Sequence, residues 1–187
     1  MTKGSFAQIT KGSFLVATPE IDSGIFFRSV IILCEHSLSG SFGLILNKKI
    51  DVELTQDLIT IDDLTNRDID MRAGGPLQMN QMMMIHNGEY DPSIELIDGV
   101  HLGGDIQFLQ EALSQREGPS VRLFFGYASW PSGLLEREFL NGQWFICQGA
   151  SEHVFETSTE NMWGTVLREM GGKYAALSMI PEDLSLN

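Results

Sequence analysis

The chain has 187 residues, 43% of them hydrophobic and 20% charged, which is the composition and length of one globular domain. Its 12 Lys and Arg residues stand against 25 Asp and Glu, and the formal net charge of −13 opposes DNA or RNA as a main partner, because nucleic-acid binding normally needs a basic surface. Two cysteines are too few for a disulfide framework, and the longest apolar run, Val30 to Cys34, is far shorter than the ~20 residues of a membrane helix. The N-terminal residues lack the apolar segment of a secretory signal. We therefore expect one domain over residues 1–187, in the cytoplasm and without a membrane span.

The N-terminal third contains three apolar runs rich in β-branched and aromatic residues, and these predict strands at Phe14–Ala17, Ser29–Cys34 and Phe42–Asn47. The sequence SLSGS between the second and third runs predicts a hairpin loop in which Gly40 takes a positive φ angle. Further along, Leu54–Ile59 carries a helix signal, and the polar stretch Asp62–Asp70 indicates a surface loop.

The middle of the chain predicts strands at Met82–His86 and Val121–Tyr127 with a helix between them. In that helix Asp105 caps the start and Gly118 is the stop, while one face is apolar. The consecutive methionines Met82–Met84 cannot share one face of a strand, so we interpret them as adaptable core residues rather than as a soft-metal site.

The C-terminal third predicts a short helix from Ser132 to Asn141–Gly142, a strand at Trp144–Cys147, and a longer helix that Thr159 caps and that precedes Gly171. Strands and helices alternate irregularly, without a steady βαβ rhythm, and this indicates the α+β class. The strand runs are continuously apolar, which predicts strands that are covered on both faces.

Several motifs, in order along the chain, resemble those of the YqgE/AlgH family of bacterial proteins. They begin with FFRSV at Phe26, CEH at Cys34 and GLILN at Gly43. The match continues with GGP at Gly74–Pro76, with the histidine that ends MMMIH, and with FFGYASW followed by GLLE. The resemblance spans roughly Gly12 to Gly171, with Lys48 and Lys49 standing where the family often has Arg-Pro.

This resemblance implies an α+β fold in which a bent mixed β-sheet forms a pseudo-barrel with helices packed on the outside. Family members are often labelled transcriptional regulators, a label that derives from genetic association. No cofactor and no set of catalytic residues is established for the family, so the resemblance implies a fold rather than a chemistry.

Cys34 and His36 form the first candidate for chemistry. They lie two residues apart on a predicted strand and therefore point to the same face, with Cβ atoms about 6.5–7 Å apart. A thiolate nucleophile with His36 as its base needs contact near 3 Å, which this spacing does not require. The alternative is that Cys34 is a small buried residue and that His36 is a turn residue hydrogen-bonded to backbone.

A metal site is a second candidate, with Cys34, His36, His86 and His101 as ligands. C-x-H is not a usual ligand pair, and the other histidines are distant in sequence, so the spacing does not favour zinc. The residues after Gly74–Pro76 are not those of a P-loop, and Ser129 does not lie in a G-x-S-x-G elbow. We therefore expect no cofactor.

Arg28 is the third candidate, because a guanidinium beside a buried strand needs carboxylate or carbonyl partners. Glu35, Glu136 and Glu138 are candidate partners. The arginine serves either as a clamp that fixes the Ile21–Phe27 loop to the sheet or as a binding group for an anion. The same argument applies to Arg122.

We interpret the protein first as a non-enzymatic binding or regulatory protein that acts on an unknown protein or small-molecule partner. The expected patch is bordered by Arg28, Glu35, His36, Asn47 and the Gly126–Glu136 loop. The full set of candidate binding residues is Arg28, Cys34, Glu35, His36, Asn47, His86, Tyr127, Trp130 and Glu136. The alternatives are a thiol- or acid/base-dependent enzyme that uses Cys34 and His36, and a regulator that binds DNA directly.

Overall fold

The computed structural model describes residues 9–50 and 69–181, and in these ranges the chain forms nine strands and five helices. The strands are β1 Ser13–Ala17, β2 Val30–Ser37, β3 Gly40–Ile45, β4 Met71–Ala73, β5 Leu77–His86, β6 Ser93–Ile97, β7 Val100–Gly103, β8 Val121–Pro131 and β9 Trp144–Gln148. The helices are α1 Ile106–Ser114, α2 Leu134–Leu140, α3 Ser151–Phe155, α4 Thr159–Met170 and α5 Gly172–Leu177. No helix in the described ranges is long and apolar enough to cross a membrane.

All nine strands belong to one mixed sheet with the order β6-β7-β5-β8-β3-β2-β1-β9, and β4 pairs in parallel with β8 outside this path. The long strand β8 changes partners along its length. Its first half pairs with β4 and β5, and its second half pairs with β3. Register shifts bend β2, β5 and β6, as bulges do. The sheet curls far enough that a Cβ on Gly12, just before β1, would lie 2.3 Å from the carbonyl oxygen of Leu96 in β6. The predicted α+β fold with a bent mixed sheet is confirmed as a curled half-barrel.

Both faces of the central strands are covered, as their continuous apolar runs predicted. Along β1, Phe14 and Val16 enter one core cluster while Leu15 and Ala17 enter another on the opposite face. The first cluster is closed by the apolar face of α4, and the second receives Leu135 from α2. A third cluster packs α1 against β5 and β8. The methionine run divides in the same way, because Met83 packs on the first cluster whereas Met82 and Met84 pack in the third.

Each of the six predicted strands is present, and the turn before β3 places Gly40 at φ 135° as expected. Asp105 caps α1, since its side chain accepts a hydrogen bond from the Phe108 N–H at 2.8 Å. Helix α4 starts at Thr159, the predicted cap, so Ser158 occupies the N-cap position, and its side chain makes no capping hydrogen bond. Helix α2 starts two residues later than predicted, after Gly133 at φ 73°. The predicted helix at Leu54–Ile59 and the Asp62–Asp70 loop lie outside the described residues, apart from Ile69 and Asp70.

Candidate functional site

The β2–β3 hairpin separates the predicted binding residues into two groups. Arg28 and Asn47 lie at its open end, whereas Cys34, Glu35 and His36 lie toward its turn. A strand of eight residues spans about 26 Å at ~3.3 Å per residue. The residues expected to border one patch therefore occupy two distant places.

Asn47 joins the two strands at the open end. Its Oδ1 accepts a hydrogen bond from the Val30 N–H at 2.8 Å, and its Nδ2 donates to the Arg28 carbonyl at 2.8 Å. Because both partners are backbone groups, the amide fixes the point at which the chain enters β2. This contact positions Arg28.

The Arg28 guanidinium lies against a fixed aromatic platform. It stacks over the Trp163 ring at 4.6 Å from the centroid and donates to the Ile180 carbonyl. Trp163 is itself buried and donates its indole N–H to the Ala17 carbonyl at 2.8 Å. Arg28 has a left-handed backbone with φ 50°, which is uncommon outside glycine. A carbonyl partner, one of the two kinds expected for this arginine, is thus provided by Ile180.

A cavity of about 340 Å³ opens beside this arginine, and we call it the basic cleft. Its walls come from the open end of the hairpin, from α4 and from Ser178. The charged side chains that line it are Arg28, Lys48, Lys49, Arg168 and Glu160. Among the residues that the structure describes, four basic side chains and one carboxylate thus line the same cavity, in a chain whose formal net charge is −13.

Contacts orient the other basic groups of the cleft. The Lys48 ammonium donates to the Phe27 carbonyl at 2.7 Å, and Arg168 donates to the Thr165 hydroxyl at 2.9 Å. Lys49 Nζ lies 2.5 Å from Glu160 Oε1 in an exposed ion pair. Sequence reasoning identified Arg28 and Asn47 but not Arg168 or Glu160, because α4 reaches the cleft only through long-range packing.

A second cavity, of about 430 Å³, adjoins the basic cleft and shares Lys49, Thr159 and Glu160 with it. One wall contains the fully buried Arg72, whose guanidinium makes two 2.8 Å hydrogen bonds to the Asp70 carboxylate. Arg122 Nε lies 2.9 Å from the same carboxylate. Burial alone would raise the pKa of Asp70, but the hydrogen bonds and charges of the two arginines outweigh it and lower the pKa.

Cys34 is placed for packing rather than for reaction. Its side chain is buried, its sulfur lies 3.8 Å from the Ile32 carbonyl oxygen, and burial raises the pKa of the thiol far above its ordinary value. A nucleophilic cysteine needs the opposite, namely exposure and a lowered pKa. A bulge separates Leu33 from Glu35, and His36 directs Nδ1 to the Ser41 hydroxyl at 2.7 Å. The His36 partner is therefore a side chain and not the expected backbone group.

The histidines considered as metal ligands lie in different parts of the sheet. His86 on β5 stacks on His101 of β7, with ring centroids 5.7 Å apart, while Cys34 and His36 belong to β2. His86 is fully buried and donates Nδ1–H to the Gly88 carbonyl at 3.0 Å, and burial is the main cause that lowers its pKa. Within residues 9–50 and 69–181, no three His, Cys, Asp or Glu side chains are grouped as a metal site.

The remaining candidate residues lie near α2. Trp130 is buried and donates its indole N–H to Glu138 Oε2 at 2.8 Å, and Trp144 donates to the same oxygen at the same distance. Glu136 Oε1 lies 3.8 Å from His36 Nε2. Tyr127 packs edge-on against Phe42. Glu35 is exposed and pairs across the hairpin with Phe42.

Comparison with known proteins identifies the family. A family model described as AlgH-like matches residues 14–175. A UPF0301 protein of Chlamydia abortus is 50% identical over 100% of both chains, and one of Chlorobaculum tepidum is 33% identical over 97% of this chain and 98% of its own.

Two solved structures have the same fold. A protein from Corynebacterium diphtheriae aligns with a TM-score of 0.77 at 24% identity, covering 94% of this chain and 95% of its own. The AlgH protein from Pseudomonas aeruginosa aligns with a TM-score of 0.71 at 22% identity, covering 96% and 98%. Since the family match extends over most of the sequence, the chain belongs to the AlgH-like, or YqgE/AlgH, family.

Proposed function

We propose that this protein is a non-enzymatic binding protein that holds an anionic group of a small molecule or protein partner in the basic cleft. The observation that carries the proposal is that, among the described residues, four basic side chains and one carboxylate line a single cavity of about 340 Å³. The cleft is large enough for one or two phosphate or carboxylate groups but not for a macromolecular surface.

The charge distribution supports this proposal. Basic residues are scarce in the chain, with 12 against 25 acidic residues, yet four of them line this one cavity. Two unit charges 4 Å apart interact by about 4 kcal/mol at an effective dielectric of about 20, before any loss of hydration is counted. The basic side chains among the described lining residues therefore favour a small anion that can enter the cleft.

The geometry of Arg28 also supports a binding role. Stacking on Trp163 and the hydrogen bond to Ile180 restrict the guanidinium, and Asn47 fixes the backbone that carries it. A restricted arginine loses less conformational entropy when it binds an anion than a freely rotating one does. The clamp and anion-binding interpretations of Arg28 are thus compatible, because the same contacts hold the group in place.

Isothermal titration with two probes, pyrophosphate and citrate, tests the proposal at 50 mM and 200 mM NaCl. We expect binding that weakens at the higher salt concentration. Arg28→Gln and Arg168→Gln should each weaken it about tenfold or more, since a hydrogen bond to a charged group contributes about 1.5–3 kcal/mol.

Arg116→Gln is the matched control. Arg116 is exposed, lines neither cavity and undergoes the same change of charge. The affinity of the Arg116→Gln variant for both probes should equal that of the wild type. If the wild type binds neither probe, or if all three variants weaken binding equally, the basic cleft is not an anion site and the proposal is wrong.

We further propose that a role in transcription, the label often given to this family, operates through a partner or ligand in the cytoplasm rather than through direct contact with DNA. The net charge of −13 supports this view, because DNA contact needs many phosphate-neutralising groups. Gel-shift assays at two salt concentrations test it. Direct DNA binding would give a retarded band that weakens steeply as the salt concentration rises and is absent with the Arg28→Gln variant. Such a band would contradict the proposal.

A further inference from the structure

Glu160 already places a carboxylate among the basic groups of the cleft. It lies in the first turn of α4 and lines both the basic cleft and the neighbouring cavity. Its Oε1 is 2.5 Å from Lys49 Nζ. The Glu160 carboxylate is therefore already paired with the ammonium group that a bound anion would also contact. The lysine and the glutamate are 111 residues apart in sequence.

The backbones of both members of this pair are fixed, and that of Glu160 lies in the first turn of α4. The backbone of Lys49 is bridged to Arg72 of β4, which anchors the lysine at the edge of the sheet. Both side chains are exposed, 69% for Lys49 and 61% for Glu160, and exposed ion pairs contribute little to stability. The two side chains can therefore separate without disturbing the core, and the fixed backbone of Lys49 keeps its ammonium group within reach of the cleft.

We infer that Glu160 is a built-in competitor, which pairs with Lys49 and is displaced when the phosphate or carboxylate group of a ligand binds. This inference rests on the proposed function of the basic cleft and adds to it a means of regulating affinity. The Lys49 hydrogen bond is the main cause that lowers the pKa of Glu160 to about 2, so the competing carboxylate is charged at neutral pH. The ligand must carry a negative charge of its own to take its place.

Displacement makes a prediction that general electrostatic repulsion does not. If Glu160 competes for Lys49, then removing its charge tightens ligand binding only while Lys49 is present. If Glu160 acts only through its long-range field, its removal tightens binding whether or not Lys49 is there. A double-mutant cycle separates the two cases.

The experiment titrates pyrophosphate and citrate into the wild type, Glu160→Gln, Lys49→Met and the double variant. We expect Glu160→Gln to tighten binding about fivefold, the effect of one exposed ion pair. Lys49→Met should weaken binding, and in that background Glu160→Gln should change the affinity by less than about twofold. Tightening for both probes would assign the site to anionic groups generally, and tightening for pyrophosphate alone would assign it to phosphates.

Glu156→Gln is the control, because Glu156 is exposed, lines the adjoining cavity and loses the same charge. Equal tightening by Glu156→Gln and Glu160→Gln, or tightening by Glu160→Gln in the Lys49→Met background, would overturn the inference. If the wild type binds and Arg28→Gln weakens it but Glu160→Gln has no effect, the inference fails while the proposed function stands. If no variant binds either probe, both are wrong.

Discussion

At the scale of single residues, Glu138 explains why two tryptophans lie beside α2. Trp130 and Trp144 both donate to Glu138 Oε2, and both rings are almost fully buried. A buried N–H that loses its acceptor costs about 1–3 kcal/mol. One carboxylate oxygen therefore links α2 to β8 and β9. The candidate binding residue Trp130 thus has a structural role, as one of the two donors to Glu138.

We expect Glu138→Ala to lower the free energy of unfolding by about 2–4 kcal/mol, because it leaves two buried indole N–H groups without an acceptor. Glu138→Gln keeps a carbonyl oxygen and should lower it by less. Urea denaturation followed by tryptophan fluorescence measures both. Glu136→Ala is the control, since among the described residues the polar contact of Glu136 is the long one, 3.8 Å to His36 Nε2. Equal losses for Glu136→Ala and Glu138→Ala would contradict the bracing role.

Cys34 allows a second residue-scale prediction. Because the thiol is buried and its pKa is raised by burial, we expect iodoacetamide to alkylate it only when the protein unfolds. Mass spectrometry of Cys34 at increasing urea concentrations measures the extent of reaction. Cys147, which is partly exposed, provides an internal comparison. Rapid alkylation of Cys34 in the folded protein would support the thiol-enzyme alternative.

The lowered pKa of the buried His86 predicts how the free energy of unfolding depends on pH. Burial lowers its pKa below the unfolded value of about 6.5, so between these two values the unfolded chain binds a proton and the folded chain does not. The free energy of unfolding should fall as the pH drops below about 6.5, and it should be independent of this group above that value. Urea titrations from pH 7.5 to 5 should show a smaller slope in His86→Gln than in the wild type. An unchanged slope in His86→Gln would contradict the assignment of the pH dependence to His86. The control His101→Gln keeps His86 and should retain most of the wild-type slope.

At the scale of elements, the long apolar runs were predictable because burial on both faces leaves a continuous signal in the sequence. Strands β1, β2 and β8 have such runs, and Asp105 marks the start of α1 by its capping chemistry. Strand β4 has only three residues and pairs in parallel with β8, about 50 positions later. No local pattern encodes that pairing. Strands β6 and β7 did have a local signal, because Asp98-Gly99, with Gly99 at φ 71°, forms the two-residue turn between them, and it was missed. Helices α3 and α5 have only five and six residues, too few to show a helical period.

The ion cluster between β4 and β8 leads to the element-scale prediction. Asp70 neutralises the buried Arg72 and contacts Arg122, so it joins the two strands. Removing one partner of a buried pair costs about 3–5 kcal/mol, because the remaining charge is left uncompensated. We expect Asp70→Asn to lower the free energy of unfolding by about 3 kcal/mol at pH 7 in chemical denaturation.

The pH dependence checks the origin of this loss. The lowered pKa of Asp70 means that its contribution is present above about pH 4, the ordinary Asp value, and is lost as the pH falls through the lower folded-state pKa. Wild type and Asp70→Asn should therefore converge in stability at low pH. A difference that stays constant down to pH 2 would show that the aspartate acts by packing and not by its charge.

At the scale of the whole molecule, sequence reasoning identified part of the candidate site and could not assemble it. Arg28 and Asn47 stood out because polar residues flanked an apolar strand, and the structure places both at the basic cleft. Arg168 and Glu160 belong to a helix more than 100 residues later and reach the cleft only when α4 packs on the sheet. His36 was grouped with Arg28 by proximity in sequence, although a whole strand separates them.

The net charge makes a prediction for the whole molecule. With −13 charges, mutual repulsion opposes the compact state, and salt screens repulsion beyond about 10 Å at 0.1 M. We expect the melting temperature to rise by about 2 °C or more between 10 and 150 mM NaCl, measured by circular dichroism. A variant with Glu89→Gln and Glu95→Gln, both at exposed positions, should melt higher at low salt and respond less to added salt. A melting temperature that falls with salt would instead mean that favourable ion pairs, such as those around Asp70, outweigh the repulsion among the acidic residues.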